Sequence, residues 1–456
     1  MNLFSQLQIT KINYFSFLFA LIPFSFIAGN MIININVILI ILSSLILFHK
    51  KLFSLKFLLI DKLIFLFFFL ILISGFSNDL GFYLSKENWS QLVVESKGFF
   101  STSKKSILFL KYLLLYLAIR YLIEKKIINL KYFFLTCAAS TLFVCFDIFY
   151  QLVNGEDIFG LKSIRQDGDG DFVVDGRKLS GPFGDELIAG GFIQRFSLFT
   201  FFVLPLFYNK LSKTFSKFLI PIFFIIFLAG IILSGNRMPF ILFLMIIFLI
   251  LFFQKQTRKF LLPFIIVFTI CFSIIFNFNN QVKVNFTNFF NQISKMTTIV
   301  VRMDFDNKAN PQYLREFATF FDTWLMNKYV GGGIKNFRYY CHHRPNIQKN
   351  ADFICNMHPH NYYLEILTET GLVGFVNVSI IFLLILYFTF IKKYLVNSNL
   401  KDNHIITPFI FLFIAEIFPL KSTGSFFTTG NATYIFLLIS ILVALVRSEN
   451  LIENKY

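Results

Sequence analysis

Charge is scarce in this sequence. Only 15% of its 456 residues are charged, while 56% are hydrophobic. A soluble domain of this length needs far more charge to cover its surface, so the repeated apolar runs of roughly 17–25 residues read as transmembrane helices. Cysteine is scarce as well, and five residues do not make a disulfide scaffold. Cys137, Cys145 and Cys271 lie inside apolar runs, where a small hydrophobe is the default explanation. Cys341 and Cys355 both fall in the largest polar segment; if that segment is periplasmic, the oxidising compartment permits a disulfide between them. The first apolar run lacks a small-residue cleavage site and a second follows at once, so both read as spans rather than as a cleavable signal. Repeats at a fixed period and coiled-coil heptads are also missing.

Acidic residues are outnumbered, 25 against 42 Lys and Arg, for a formal charge of +17. Short Lys-rich loops are what orientation in a membrane requires, so this excess does not imply nucleic-acid binding. The 68 phenylalanines come with heavy use of Ile, Leu, Lys and Asn, which reads as codon usage in an AT-rich genome rather than as a special role for aromatics.

Apolar periodicity sets helices near 13–29, 31–48, 60–76, 106–123, 131–152, 187–208, 217–234, 237–253, 259–277, 363–391, 405–420 and 432–447. One set of connections is short and basic, for example Lys50 with Lys51, Lys125 with Lys126, Arg258 with Lys259, and Lys392 with Lys393. The positive-inside rule places that set, and with it both termini, in the cytoplasm. The longer segments 77–105, 153–186 and 278–362 then lie outside. The expected fold is an all-α polytopic membrane protein of about twelve transmembrane helices, with a helical periplasmic subdomain in the last long loop. Its expected parts are an N-terminal transmembrane bundle over 1–277 (about nine helices, with periplasmic loops 77–105 and 153–186), the loop subdomain over 278–362, and C-terminal transmembrane helices over 363–456. Within the loop, Gln312 to Tyr329 carries Phe317, Phe320, Phe321 and Trp324 at helical spacing, and Gly331, Gly332 and Gly333 break it.

Polar chemistry concentrates in a few places. The densest is His358-Pro-His360-Asn361, followed by Glu365, Glu369, Gly371 and Gly374. Proline favours a first helical turn, so Pro359 reads as a helix start with His360 in that turn, at the outer membrane surface. The positive end of the helix dipole favours neutral imidazole there, the form a general base needs. The alternative is an interfacial histidine bonded to a neighbouring loop. A second cluster, Ser234-Gly-Asn-Arg237, falls between two apolar runs at the same face, where Arg237 is either functional or a snorkelling interfacial arginine. A third runs from Asp175 through Arg177, Ser180-Gly-Pro-Phe-Gly184, Asp185 and Glu186, with Arg195 inside the next helix, about 12 Å below its start. An arginine at that depth faces a partner or a polar cavity. Guanidinium groups bind two oxygens at once and keep their charge, so arginines on one face suit a diphosphate.

Metal signals are weaker. Asp167-Gly-Asp169-Gly-Asp171 opens like a calcium loop, but Phe172 stands where glycine is needed and no glutamate follows at the twelfth position. His342, His343, His358 and His360 with Cys341 and Cys355 could be imagined around zinc, yet the oxidising compartment favours the disulfide. No metal or other cofactor is assigned. Glu416 precedes Pro419-Leu-Lys421 and is expected to pair with Lys421 or an arginine.

From about Arg177 to Phe427 these clusters resemble the O-antigen ligase and polymerase superfamily. The resemblance rests on Arg177 with Ser180-Gly-Pro-Phe-Gly, on Ser-Gly-Asn-Arg237, and on Gly331-Gly-Gly. It includes His360-Asn-Tyr-Tyr-Leu-Glu-Ile-Leu-Thr-Glu369-Thr-Gly-Leu-Val-Gly and Thr423-Gly-Ser-Phe-Phe. The histidine motif is its most specific part. The family often has serine or glutamate where this chain has Asn236, but the arginine is kept. The resemblance implies transfer of a glycan from an undecaprenyl-diphosphate carrier to an acceptor hydroxyl at the periplasmic face of a bacterial inner membrane. The acceptor would be lipid A core for a ligase, or another lipid-linked repeat for a polymerase. It further implies an inverting glycosyltransferase without metal or nucleotide cofactor. His360 would be the base, and Arg177, Arg195 and Arg237 would hold the diphosphate. His358, Asn361, Glu365 and Glu186 would support the site. Besides donor and acceptor, membrane lipids are the expected partners. A lipid-linked glycan flippase is the competing class, but flippases commonly show repeat symmetry and midplane polar sites, whereas these clusters gather at one face.

Overall fold

The computed structural model describes residues 3–81, 101–166, 172–174, 178–207, 213–254, 257–302, 312–344, 355, 360–396, 405–422 and 424–448. The acidic stretch 167–171, Arg177 and His358 lie outside these residues.

Among the described residues the chain is helical almost throughout. In order come α1 (Leu3–Ala20), α2 (Ile22–Ala28), α3 (Asn30–Phe48), α4 (Leu59–Asp79), α5 (Ser101–Phe109), α6 (Lys111–Glu124) and α7 (Leu130–Asn154). Then follow α8 (Ala189–Phe207), α9 (Lys213–Leu233), α10 (Arg237–Phe253), α11 (Leu261–Phe278), α12 (Asn280–Arg302), α13 (Gln312–Met326) and α14 (Phe337–Tyr340). The last three are α15 (Tyr362–Leu386), α16 (Ile406–Glu416) and α17 (Thr429–Ser448). A small antiparallel pair, β1 (Ile164–Gln166) with β2 (Phe172–Val174), is the exception to an all-helical reading, and it sits within the 153–186 connection.

The protein is an all-α polytopic membrane protein. Among the described residues, eight helical stretches are long and apolar enough to cross a membrane: Thr10–Ala28, Asn30–Ser54, Leu59–Asp79, Ser101–Glu124, Leu130–Asn154, Arg258–Phe278, Tyr362–Val396 and Thr429–Ser448. Four shorter apolar helices, Ala189–Val203, Leu219–Leu233, Arg237–Phe253 and Ile406–Glu416, fall where the remaining apolar runs set spans. The helix expected over 405–420 stops at Glu416, ahead of Pro419. Proline disfavours helical backbone in the residue before it and cannot donate to the ladder, so the chain turns there.

The chain gathers into two compact units, each woven from three stretches. The first comprises 1–40, 122–290 and 393–415; the second comprises 41–121, 291–392 and 416–456. In the first, α7, α8 and α16 meet through Phe133, Phe134, Phe199 and Phe409, whose rings lie 4.9–6.2 Å apart. In the second, α4, α5 and α17 share a ring cluster of Phe68, Phe109 and Phe436, joined by Phe426 and Phe427 from the turn before α17. Offset and edge-to-face rings add to plain apolar burial, so an aromatic-rich composition yields well-packed helix contacts. The second unit also buries an ion pair. Arg120 of α6 meets Asp61 of α4, Tyr116 donates to the same carboxylate, and Arg120 reaches the Lys56 carbonyl at 2.8 Å. Each charge is thereby paired and further hydrogen-bonded, which is what makes burial of ions tolerable.

Candidate functional site

In the second unit, α15 begins at Tyr362, two residues later than His360 would need to be helical. Asn361 is its N-cap, with extended backbone, and its Oδ1 accepts from the Tyr363 and Leu364 amides at 3.0 and 3.2 Å. His360 therefore precedes the helix instead of lying in its first turn. It is half-buried and holds a left-handed φ of 50°. The reason is local. An asparagine side chain satisfies two open amides of the first turn, a stronger start signal than proline two residues earlier. A non-glycine residue at positive φ is uncommon, though histidine is among the types that adopt it more readily.

The asparagine also reaches sideways. Its Nδ2 donates to the carbonyl of Pro419 at 2.8 Å and toward that of Lys421 at 3.4 Å, tying the start of α15 to the turn after α16. That turn is anchored again by Tyr363, whose hydroxyl donates to the Ile417 carbonyl. Below it sits a buried trio: the Tyr362 hydroxyl donates to Glu416 Oε1 at 2.6 Å, and Lys421 Nζ lies 2.6 Å from the same oxygen. The lysine also sits 4.4 Å from the centre of the Tyr362 ring. Asn361→Ala removes two cap bonds and the tie to Pro419, and should lower stability by about 1–2 kcal/mol. Asn361→Asp keeps the cap acceptor and should fall between wild type and Asn361→Ala in a thermal melt in detergent.

The carboxylates further along α15 hold backbone turns. Glu365 is buried and accepts from the Ser425 hydroxyl and, at 2.5 Å, from the Phe426 amide. It thereby joins the histidine motif to the Gly-Ser-Phe-Phe motif. Glu369, also buried, accepts from the Lys335 amide at 2.7 Å and toward the Phe337 amide at 3.5 Å. The Gly331-Gly-Gly run crosses α15 at this level. The Gly332 and Gly333 amides donate to the carbonyls of Thr368 and Glu369, each at 2.9 Å, while the Leu372 amide donates to Lys328 O at 2.8 Å. The helix breaks to allow it: Gly371 has φ 67° and ψ −175°. Asn78 and Asn327 then donate to the Gly331 carbonyl at 2.9 and 2.7 Å, and Ser74 to the Glu369 carbonyl at 2.8 Å.

Cys341 and Cys355 are bonded to each other, with Cα atoms 5.8 Å apart. Both sulfurs are thus unavailable as thiolate ligands for the zinc arrangement considered above. Arg344 lies against the bridge, its guanidinium donating to the Cys341 carbonyl at 3.0 Å and contacting both sulfurs at 3.2 and 3.3 Å. Burial lowers the Arg344 pKa from its ordinary value, and Asp322 opposes that shift. The expected helix over 312–329 is α13, ending at Met326. Its Phe320 stacks on Phe337 at 3.7 Å, and Leu364 packs against this small core. The disulfide-bonded loop is therefore seated on α15 one turn past His360.

The first unit holds Arg195 and Arg237. Arg237 opens α10 and is half-buried, with its guanidinium 5.8 Å from the centre of the Phe289 ring. Asn236 positions it. Its Oδ1 accepts from the Gly190 amide and its Nδ2 donates to the Leu187 carbonyl, both at 2.9 Å, so the Ser-Gly-Asn-Arg turn is stitched to the start of α8. Arg195 lies six residues into α8, about 9 Å along its axis, and is half-buried. Ahead of α8, the Ser180-Gly-Pro segment is fixed by Gln151 and Ser163. The Gly181 amide donates to Gln151 Oε1 and the Ser180 amide to Ser163 Oγ, both at 2.9 Å. Glu186 is exposed. The tie made by Asn236 escaped the sequence reading, although asparagine directly before an apolar helix is a start signal.

Comparison with known families adds one finding. The O-antigen ligase family model matches residues 222–379. Over this stretch the chain is similar to the O-antigen ligase family. No curated protein matches the chain. The O-antigen ligase segment takes in Arg237, the glycine crossing, the disulfide, His360, Glu365 and Glu369, while Arg177 and Arg195 precede it and Glu416 and Lys421 follow it. It supports O-antigen ligase- or polymerase-type chemistry on lipid-linked glycans.

Proposed function

We propose that the protein is a periplasmic-face glycosyltransferase of the inner membrane that moves a glycan from undecaprenyl diphosphate to an acceptor hydroxyl, with lipid A core as the acceptor. The observation that carries this reading is the O-antigen ligase segment built around His360, a half-buried imidazole held outside the helix by the Asn361 cap. In the proposed reaction the imidazole takes the acceptor's hydroxyl proton. The freed oxygen attacks the anomeric carbon while the bond from that carbon to the diphosphate oxygen breaks, and its electron pair leaves on undecaprenyl diphosphate. Displacement from the opposite face inverts the anomeric centre. Arg177, Arg195 and Arg237 bind the diphosphate and stabilise the charge growing on it, which lets the scheme run without a metal.

The disulfide supports the outward placement of the loop, since such bonds form and persist in oxidising compartments. Membrane vesicles treated with a thiol-alkylating reagent before reduction should yield Cys341 and Cys355 unmodified and linked in one peptide pair. Recovery of both as alkylated residues would place the loop on the reducing side and overturn the orientation.

Function is tested by mass spectrometry of lipopolysaccharide and lipid-linked glycans from a deletion strain, with glycan transfer by the purified protein in detergent. Ligation predicts long unattached polymer on the carrier and bare lipid A core. Single lipid-linked repeats would indicate polymerisation by the same chemistry. An absence of transfer by well-folded purified protein supplied with donor and acceptor would favour a flippase.

A further inference from the structure

Helix α12 has a feature that the transfer reaction does not use. It starts two residues after α11 ends, and its apolar positions Val282, Phe286, Phe289, Ile293 and Met296 recur at intervals of four and three, which aligns them as one stripe. The first part of the stripe is covered. Val282 and Phe286 are buried, and the Phe286 ring lies 5.2 Å from both Phe240 near the start of α10 and Phe272 in the last turns of α11. Past Phe289 the stripe opens: Ile293 is 42% exposed, as is Phe290 on its flank at 58%, with the opposite face made of Thr287, Asn288, Asn291, Gln292, Ser294 and Lys295.

Two observations say what covers it. First, α11 is apolar along its length yet has no buried residue, so in a membrane its surface belongs to lipid, and α12 continues directly from it. The Phe240 and Phe272 contacts keep the first half of α12 close to the ends of α10 and α11 that it adjoins. Second, α12 carries Lys283, Lys295 and Arg302 and no acidic residue, matching the sign of anionic lipid phosphates. We infer that α12 is an interfacial helix, lying along the bilayer surface with its apolar stripe at the acyl boundary and its lysines among lipid phosphates. A helix so placed, with Phe289 against Arg237, sets the depth of that guanidinium near the headgroup level.

The test places an environment-sensitive fluorescent amino acid at Ile293 or Met296 on the stripe, or at Asn288 or Asn291 opposite, in full-length protein in nanodiscs that elutes as wild type. Nitroxide-labelled lipid should quench the stripe positions at least ~threefold more than the opposite ones, and soluble iodide should show the reverse order. Equal lipid quenching on both faces overturns the inference. So does protection of the stripe from lipid and iodide together, which would mean cover by protein, such as a second copy of this chain. A label-independent arm compares hydrogen exchange of 290–302 in nanodiscs with and without phosphatidylglycerol. Anionic lipid should slow exchange in the wild type and not in a K283Q/K295Q/R302Q variant; no lipid effect in the wild type counts against the phosphate contacts.

Discussion

His360→Ala should lose glycan transfer by a factor of about 10²–10⁴, the span that a positioned general base contributes. The loss should appear in turnover, with affinity for the lipid-linked donor near wild type, because diphosphate binding is assigned to the arginines. Folding should survive the change. His360 lies outside α15, is half-buried, and leaves the Asn361 cap with both its amide bonds. Purified variant and wild type compared for transfer rate, donor binding and melting temperature would separate these effects. Near-normal turnover by a folded His360→Ala protein would remove the residue from the catalytic role.

Gly371→Ala should be more damaging to the protein itself, with a loss above about 4 kcal/mol and poor accumulation in membranes. A Cβ at Gly371 would stand 2.2 Å from the Tyr329 carbonyl oxygen and 2.3 Å from its carbon, and both are backbone atoms that no rotamer change can move aside. The reciprocal change is as severe, since a Cβ at Gly331 would meet Glu369 C and Gly371 N at 2.4 Å. Gly160→Ala is the control. It also has positive φ (77°) but no atom within 4 Å of its would-be Cβ, so it should cost only about 1 kcal/mol of backbone strain. Equal melting temperatures for the Gly371 and Gly160 variants would overturn the close backbone crossing as the source of the loss.

Much of the fold was legible because membrane spans are written in composition. Lipid cannot satisfy open backbone groups, so an apolar run of sufficient length has few alternatives to helix. The glycine break after α13 was legible for a similar reason: three consecutive glycines end an amphipathic pattern. What sequence could not supply was the partner across space. Glu365 and Glu369 read as motif members near a catalytic histidine, yet in the structure they accept backbone amides from residues 61 and 34 positions away. Nothing in local periodicity encodes such a pairing. The start of α15 was misplaced because proline and asparagine both signal helix entry, and only hydrogen-bond geometry shows the asparagine to be the cap. The Asp61–Arg120 pair was missed because the two residues sit in separate apolar runs, 59 positions apart.

The disulfide has a bearing on His360 beyond loop stability. Cys355 is pinned through its sulfur to Cys341, and Asn361 is pinned by the helix it caps. The five residue steps from Cys355 to His360 can span at most about 18 Å. The imidazole is thus leashed at both ends, and its search volume is set by covalent chain length before any substrate arrives. Substitutions at 356–359, His358 among them, leave the number of residue steps unchanged. Cleaving the sulfur bridge would free one end, so reduction should penalise acceptor positioning before it unfolds the helices.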